Sequence, residues 1–152
     1  MSKLSEAQVE DLLVRYYEQA FNNGEYGILE EMCGPEEGDF ACNSNAGWAI
    51  EGASGIQASI ARQRHALKDF HVTLDEIFVK GEKVTFWWTA TGIFEEALWG
   101  QKPTGEPFTY SGASMLVFED GLLVGGSSRA DMQEQFLQMQ LEELKATTTP
   151  AA

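Results

Sequence analysis

Basic residues are scarce in this chain. Ten Lys and Arg stand against 24 Asp and Glu among 152 residues, a formal net charge of −14. A nucleic-acid binder needs a cationic face to displace counterions from phosphates, and there is little here to build one. Anionic membranes are disfavoured for the same reason. Neither nucleic acid nor membrane is an expected partner, and the charge serves solubility. Cysteine is nearly absent: Cys33 and Cys42 form neither a disulfide framework nor a metal pattern. The two histidines, His65 and His71, make no metal site without further ligands. No apolar run approaches the roughly 20 residues that span a bilayer. The opening "MSKLSEAQVEDLL" has acids where a signal peptide has its apolar stretch. The expected setting is reducing and cytoplasmic. No Gly-x-Ser-x-Gly elbow occurs. "GASG" at 52–55 lacks the Lys-Ser/Thr of a phosphate loop and follows no strand. No metal and no cofactor is expected.

What is present is a patterned chain of ordinary hydrophobic content, 43%. Its length suits one domain, assigned to residues 1–145, with "TTTPAA" in a disordered tail over 146–152. Val9, Leu12, Leu13, Tyr16, Tyr17 and Ala20 recur at helical spacing, predicting a helix over 8–23 that ends at "NNG". Ile28, Leu29 and Met32 predict a short second helix closed by Gly34-Pro35. Residues 36–52 read as a short strand around Phe40 to Asn43, then a loop through Trp48. "GASGIQASIARQRHAL" predicts a third helix over 54–68, capped by Ser54, with Ile56, Ile60 and Leu67 on one face.

From Phe70 the period becomes two. "HVTLDEIFVKGEKVTFWWTATG" reads as two strands around a Lys80–Lys83 turn, and "EEALWGQKPTGEP" as a long loop. "FTYSGASMLVF" and "LLVGGSSRAD" are two more strands about an "EDG" turn. Residues 132–145 read as a final helix. Helices first and antiparallel strands after predict an α+β domain with helices on one face of a curved sheet.

The stretches "LKDFHVTLDEIFVKGEKVTFWWTATG" and "PTGEPFTYSGASMLVFEDGLLV", with "VEDLLVRYYEQAFNNGEY" before them, resemble the SnoaL-like polyketide cyclases over residues 8–140. That resemblance implies the cone-shaped, cystatin-like fold named after nuclear transport factor two, with helices in the concave face of a mostly antiparallel sheet. It implies a pocket for a hydrophobic carbonyl or polyketide-like compound, and proton-transfer chemistry: cyclase, isomerase or dehydratase. It also implies a family motif after the Asp-Gly turn, Ile-Val-Glu-x-Trp-Asp, which lays Glu on Gly125, Trp on Ser127 and the catalytic Asp on Ser128. The family's histidine on the preceding strand falls on Ser114. None of the four matches. Two hydroxyls that do not titrate near neutral pH stand where the proton-transfer pair belongs.

Strand alternation puts Phe108, Tyr110, Gly112, Ser114 and Leu116 on one face, and Val124, Gly126, Ser128 and Ala130 on the matching face of the last strand. The small far wall of Gly112, Ser114, Gly126 and Ser128 faces Phe86, Trp88, Phe94 and Tyr16. The expected ligand-binding set is therefore Tyr16, Phe86, Trp88, Phe94, Tyr110, Ser114, Gly126 and Ser128, around a flat apolar compound. The competing reading fills the same space with larger side chains. For catalysis the candidates are Asp131, His65 and Tyr16. Tyr16 matches an oxyanion-stabilising tyrosine of ketosteroid isomerases, with core packing as its plain alternative. His65 and Asp69 sit four apart near a helix end, as a carboxylate–imidazole pair or an exposed pair. Asp131 precedes the final helix, where capping is the ordinary role. Trp87 points opposite to Trp88 and predicts a homodimer through the outer sheet face. A non-catalytic binding module or dimeric scaffold is the alternative function.

Overall fold

The computed structural model describes residues 2–34, 41–44 and 49–148. Helix α1 (Glu6–Arg15) opens on a capping box: the Ser5 hydroxyl accepts the Gln8 N–H at 3.2 Å and the Gln8 side chain accepts the Ser5 N–H at 2.8 Å. Two donors that a helix start leaves orphaned are thereby satisfied. The expectation of one regular helix over 8–23 is corrected in its second half, where residues Tyr16–Asn22 widen into a π-helix. Aromatic packing accompanies the change. The wider turn sets residues five apart over each other, and Tyr16 meets Phe21 edge-on with centroids 5.3 Å apart. Tyr17 stacks on Phe21 at 4.3 Å. Asn22 ends the segment by bonding both backbone groups of Val72, donating to its carbonyl at 3.1 Å and accepting its N–H at 2.7 Å. Helix α2 (Gly27–Cys33) follows and stops at Gly34, as the sequence predicts.

Six strands form one sheet: β1 (Ala41–Ser44), β2 (Ala49–Glu51), β3 (Leu67–Lys80), β4 (Lys83–Phe94), β5 (Pro107–Glu119) and β6 (Leu122–Ala130). Their spatial order is β2-β1-β6-β5-β4-β3. The last four are antiparallel in succession, while β1 lies parallel to β6. The short strand β2 was not foreseen, so the expectation that the 52–55 stretch follows no strand is corrected, while Phe40 and Trp48 lie outside the described residues.

Helix α3 (Gly52–Ala66) starts two residues before the expected cap, so Ser54 sits exposed in its first turn. It also ends sooner. Leu67, expected on the helix, is the first residue of β3, fully buried and paired with Phe94. Chain direction changes there without a loop, and Asp69 accommodates it at φ 57° inside a register shift between Lys68 and His71.

Alternation along β4 and β5 is regular. Val84, Phe86, Trp88, Ala90 and Phe94 are buried, as are Phe108, Tyr110, Gly112, Ser114, Leu116 and Phe118. These residues meet the helices in one core with Val9, Leu13, Ile28, Met32, Ile56 and Ile60. Helix α4 (Met132–Thr148) closes one end, with Phe136 stacked against Phe94 at 5.7 Å and Phe108 at 5.5 Å. It runs three residues beyond the expected end at 145, so the assigned tail begins as helix.

Between β5 and β6, Asp120 (φ 49°) and Gly121 (φ 92°) both take the left-handed conformation that a tight two-residue hairpin requires. Glu82, in the neighbouring turn, holds this corner. Its carboxylate accepts N–H groups from Gly121 at 3.0 Å, Leu4 at 3.3 Å and Asp120 at 3.3 Å. Desolvation works against its charge, but those donors outweigh it and hold the carboxyl below its usual range.

Strand β6 departs from simple alternation at one point. Phe118 pairs with Leu123 and Val117 with Gly125, so Val124 is an extra residue in a bulge. Leu123 is buried while Val124 is 42% exposed. The expectation that Val124 faces inward is thus corrected. Beyond the bulge, Gly126, Ser128 and Ala130 pair with the inward residues Leu116, Ser114 and Gly112.

Candidate functional site

The inner face of the sheet changes character along β5. At Tyr110 it is aromatic: the ring meets Trp88 edge-on at 5.7 Å, and its hydroxyl donates to Gln63 Oε1 of α3 at 2.6 Å. Burial pushes the Tyr110 hydroxyl far above the usual tyrosine range, so it stays protonated and acts as a donor. Gln63 escaped the sequence reading. The signal was available: it follows Ile56 and Ile60 at helical spacing, a polar side chain on an apolar face.

Gly112 is the next inward position. A Cβ there would collide with the Arg129 carbonyl oxygen and come within 2.9 Å of both Ala130 Cα and Trp88 Cζ2. The expectation that Gly112 contributes open wall is corrected, because the Trp88 ring and the β6 backbone occupy its space. Glycine is needed here for close approach.

The absent side chain lets the Trp88 indole lie across β5 and reach one position further. Trp88 Nε1 donates to Ser114 Oγ at 2.9 Å, and Ser114 Oγ lies 2.7 Å from Ser128 Oγ. Ser114 is 5% and Trp88 9% exposed, while Ser128 and Gly126 are only half-buried. The string therefore begins in the core on β4 and ends on β6 where the inner face is still open to solvent. β1 flanks that end, with Gly126 paired to Cys42 and Ser128 to Ser44.

The other expected ligand-binding residues lie deeper. Phe86 is fully buried against Tyr17 at 5.4 Å, and Phe94 is fully buried between Phe108 and Phe136. The Tyr16 ring is buried edge-on to Tyr17 at 5.1 Å. The structure thus gathers Trp88, Tyr110, Ser114 and Ser128 into one connected patch, with Gly126 beside it. Phe94 reaches that patch through Phe108, whose ring lies 5.5 Å from Tyr110, and Tyr16 and Phe86 sit with Tyr17 in another aromatic cluster.

The catalytic candidates are scattered. His65 is exposed on the last turn of α3, and Asp69 is exposed in the β3 irregularity beyond the helix end, so no helix turn stacks one over the other. Asp131 precedes α4, but its carboxylate accepts the Ser111 N–H of β5 at 2.9 Å. It fastens the end of β6 to β5. Among the described residues the buried polar side chains, tyrosines apart, are Gln101 and Ser114. No group of three or more His, Cys, Asp or Glu suited to a metal occurs among the described residues, and none of their helices is long and apolar enough to cross a membrane.

Solved structures share this architecture. TsrD from Streptomyces laurentii is 24% identical and superposes with a TM-score of 0.75 over 90% of this chain and 97% of its own. IdmH, a candidate polyketide cyclase from Streptomyces antibioticus, is 25% identical with a TM-score of 0.70, covering 88% and 99%. A candidate SnoaL-like polyketide cyclase from Jannaschia sp. CCS1 gives 0.73 at 18% identity over 99% and 100%. No curated protein matches the chain in sequence. The model of the SnoaL-like polyketide cyclases matches residues 11–139, and the chain belongs to that family.

Proposed function

We propose that this chain binds a flat, hydrophobic carbonyl compound of polyketide type, against the inner sheet face at the β6 end. The observation that carries the reading is the Trp88–Ser114–Ser128 string, which turns a buried donor into a half-exposed hydroxyl. Gly126, next to it on the same face, adds no side chain there. A ligand site of this kind is mostly apolar with a few fixed polar groups. Membership of a cyclase family supports the substrate class. Buried Cys33, a free thiol that burial makes harder to ionise, suits a reducing cytoplasmic setting.

The test is Gly126→Leu, followed by thermal melting and by fluorescence titration with a polycyclic aromatic ketone. An open site predicts binding abolished and melting temperature nearly unchanged. A close-packed strand predicts a stability loss of about 1–3 kcal/mol in both Gly126→Leu and Ser128→Val, and that result would reject the site.

Proton-transfer catalysis is the second reading, favoured by the likeness to IdmH over 88% of the chain. With Ser114 and Ser128 in the place of the family's acid–base pair, such chemistry falls to Tyr16, Asp131 or His65. Cyclisation or dehydration of a poly-β-ketone that survives Ser114→Ala and Ser128→Ala would direct attention to those three. Loss of turnover in both serine variants would keep it at the string.

A homodimer completes the proposal. Trp87 is 51% exposed on the outer face, with Phe78, Met115 and Val124 also exposed there. An isologous contact would cover this apolar surface. Sedimentation should give twice the chain mass, and Trp87→Glu should halve it.

A further inference from the structure

The hydrogen-bonded string has a direction. An indole nitrogen carries a proton and no available lone pair, so Trp88 can only donate. Ser114 Oγ receives that proton at 2.9 Å and has a single hydrogen of its own. Ser114 is buried, and among the described residues the acceptor within reach of its hydrogen is Ser128 Oγ at 2.7 Å. Were Ser128 to donate instead, Ser114 would accept two hydrogen bonds and its own hydrogen would be stranded in the core. Buried polar groups are seldom left so. The order that satisfies each group is Trp88 to Ser114 to Ser128.

We infer that Ser128 is a specificity-determining residue held as a hydrogen-bond donor, which selects ligands presenting an acceptor oxygen, a ketone or quinone carbonyl, to β6. Ser128 receives the bond from Ser114, so its own hydrogen is free to leave the string. Each bond in such a chain polarises the next, which strengthens the terminal donor. Half-buried Ser128 stands beside Gly126, which has no side chain to compete for the oxygen. Trp88 acts here as a positioning residue: it touches Ser114 and fixes which way the hydroxyls turn. The inference rests on the proposed binding site and adds what that site recognises.

Two probes of nearly equal shape test it, 9-fluorenone with a ring carbonyl and fluorene with a methylene in its place. Their dissociation constants should differ by about tenfold in favour of fluorenone, the scale of one net hydrogen bond. Ser128→Ala should bring the ratio to about one, and Ser128→Thr should restore it. Trp88→Phe should reduce the ratio partly, because Ser114 is then free to reverse. The infrared carbonyl stretch of bound fluorenone should shift to lower frequency in the wild type and Ser128→Thr, and less in Ser128→Ala. A structural role alone would not move that band. Equal binding of both probes by the wild type overturns the donor assignment and leaves the binding site standing. A ratio that persists in Ser128→Ala overturns it too. Binding of neither probe overturns both proposals together.

Discussion

Near the start of β5, Phe108 lies 5.6 Å from Phe94 and 5.5 Å from Phe136, ring against ring. Six residues further along the same strand and face, Ser114 shares a 2.7 Å hydrogen bond with Ser128 beside a glycine. The first region is held by apolar area and ring contact, with α4 as its cover. The second is held by three polar atoms in sequence and keeps a half-exposed end. A single strand thus carries a sealed region and a half-exposed polar region, and what separates them is Gly112, over which the Trp88 ring lies. Stability and ligand recognition should accordingly respond to different substitutions.

The largest expected effect breaks the sealed region. Phe94→Ala should cost about 4 kcal/mol by denaturant unfolding, because it empties a fully buried site between two rings. Gly112→Ala comes next, at about 3 kcal/mol, since the added methyl meets the Arg129 backbone and the Trp88 ring together. An unchanged melting temperature would mean that β6 moves away at no cost. Ser114→Ala should cost about 2 kcal/mol by leaving the buried Trp88 N–H without its acceptor. Trp88 fluorescence should change in the same variant.

A smaller effect depends on pH. Glu82 is held below its usual range when folded, so its contribution is complete above the unfolded pKa and disappears as pH falls through the folded one. The melting temperatures of wild type and Glu82→Gln should therefore differ at pH 6 and converge as the pH approaches 3. Smallest of all is a gain. Gly125 faces open space and is not in the left-handed region, so Gly125→Ala should stabilise by about 0.5 kcal/mol without affecting ligand binding. A loss of binding there would extend the proposed binding region to the outer side of the bulge.

Much of the frame could be read from residue period. Alternation identified the inward set on β5 and the opposite facing of Trp87 and Trp88, and the Asp-Gly pair marked the Asp120–Gly121 turn. Each rests on local geometry that a strand imposes. What could not be read were departures from ideal geometry. A 3.6-residue period has no means of announcing the π-helical turn at Tyr16, and strict alternation placed Val124 inward because a bulge adds one residue to the count. Gly112 was misread for a related reason. Its missing side chain is equally consistent with vacancy and with close approach, and only the distances to Trp88 and Arg129 distinguish them. At the candidate site, the inward placement of Ser114 and Ser128 was legible from alternation. The bonds linking them to Trp88 were not, since they depend on the ring lying across a neighbouring strand.

The bulge at Val124 also makes β6 tolerant of a change in length. Without the extra residue's outward loop, the intact sequence would slip by one and turn Gly125, Ser127 and Arg129 inward, setting a guanidinium against the Trp88 side of the sheet. Deleting Val124 outright would leave Leu123 facing in, Gly125 facing out, and Gly126 and Ser128 where they are now. A one-residue gap can therefore open or close between the Asp120–Gly121 turn and the serines without moving the inner face. Counting positions from that turn, as motif comparison does, identifies the inward residues of a homologue only once the presence or absence of its bulge is known.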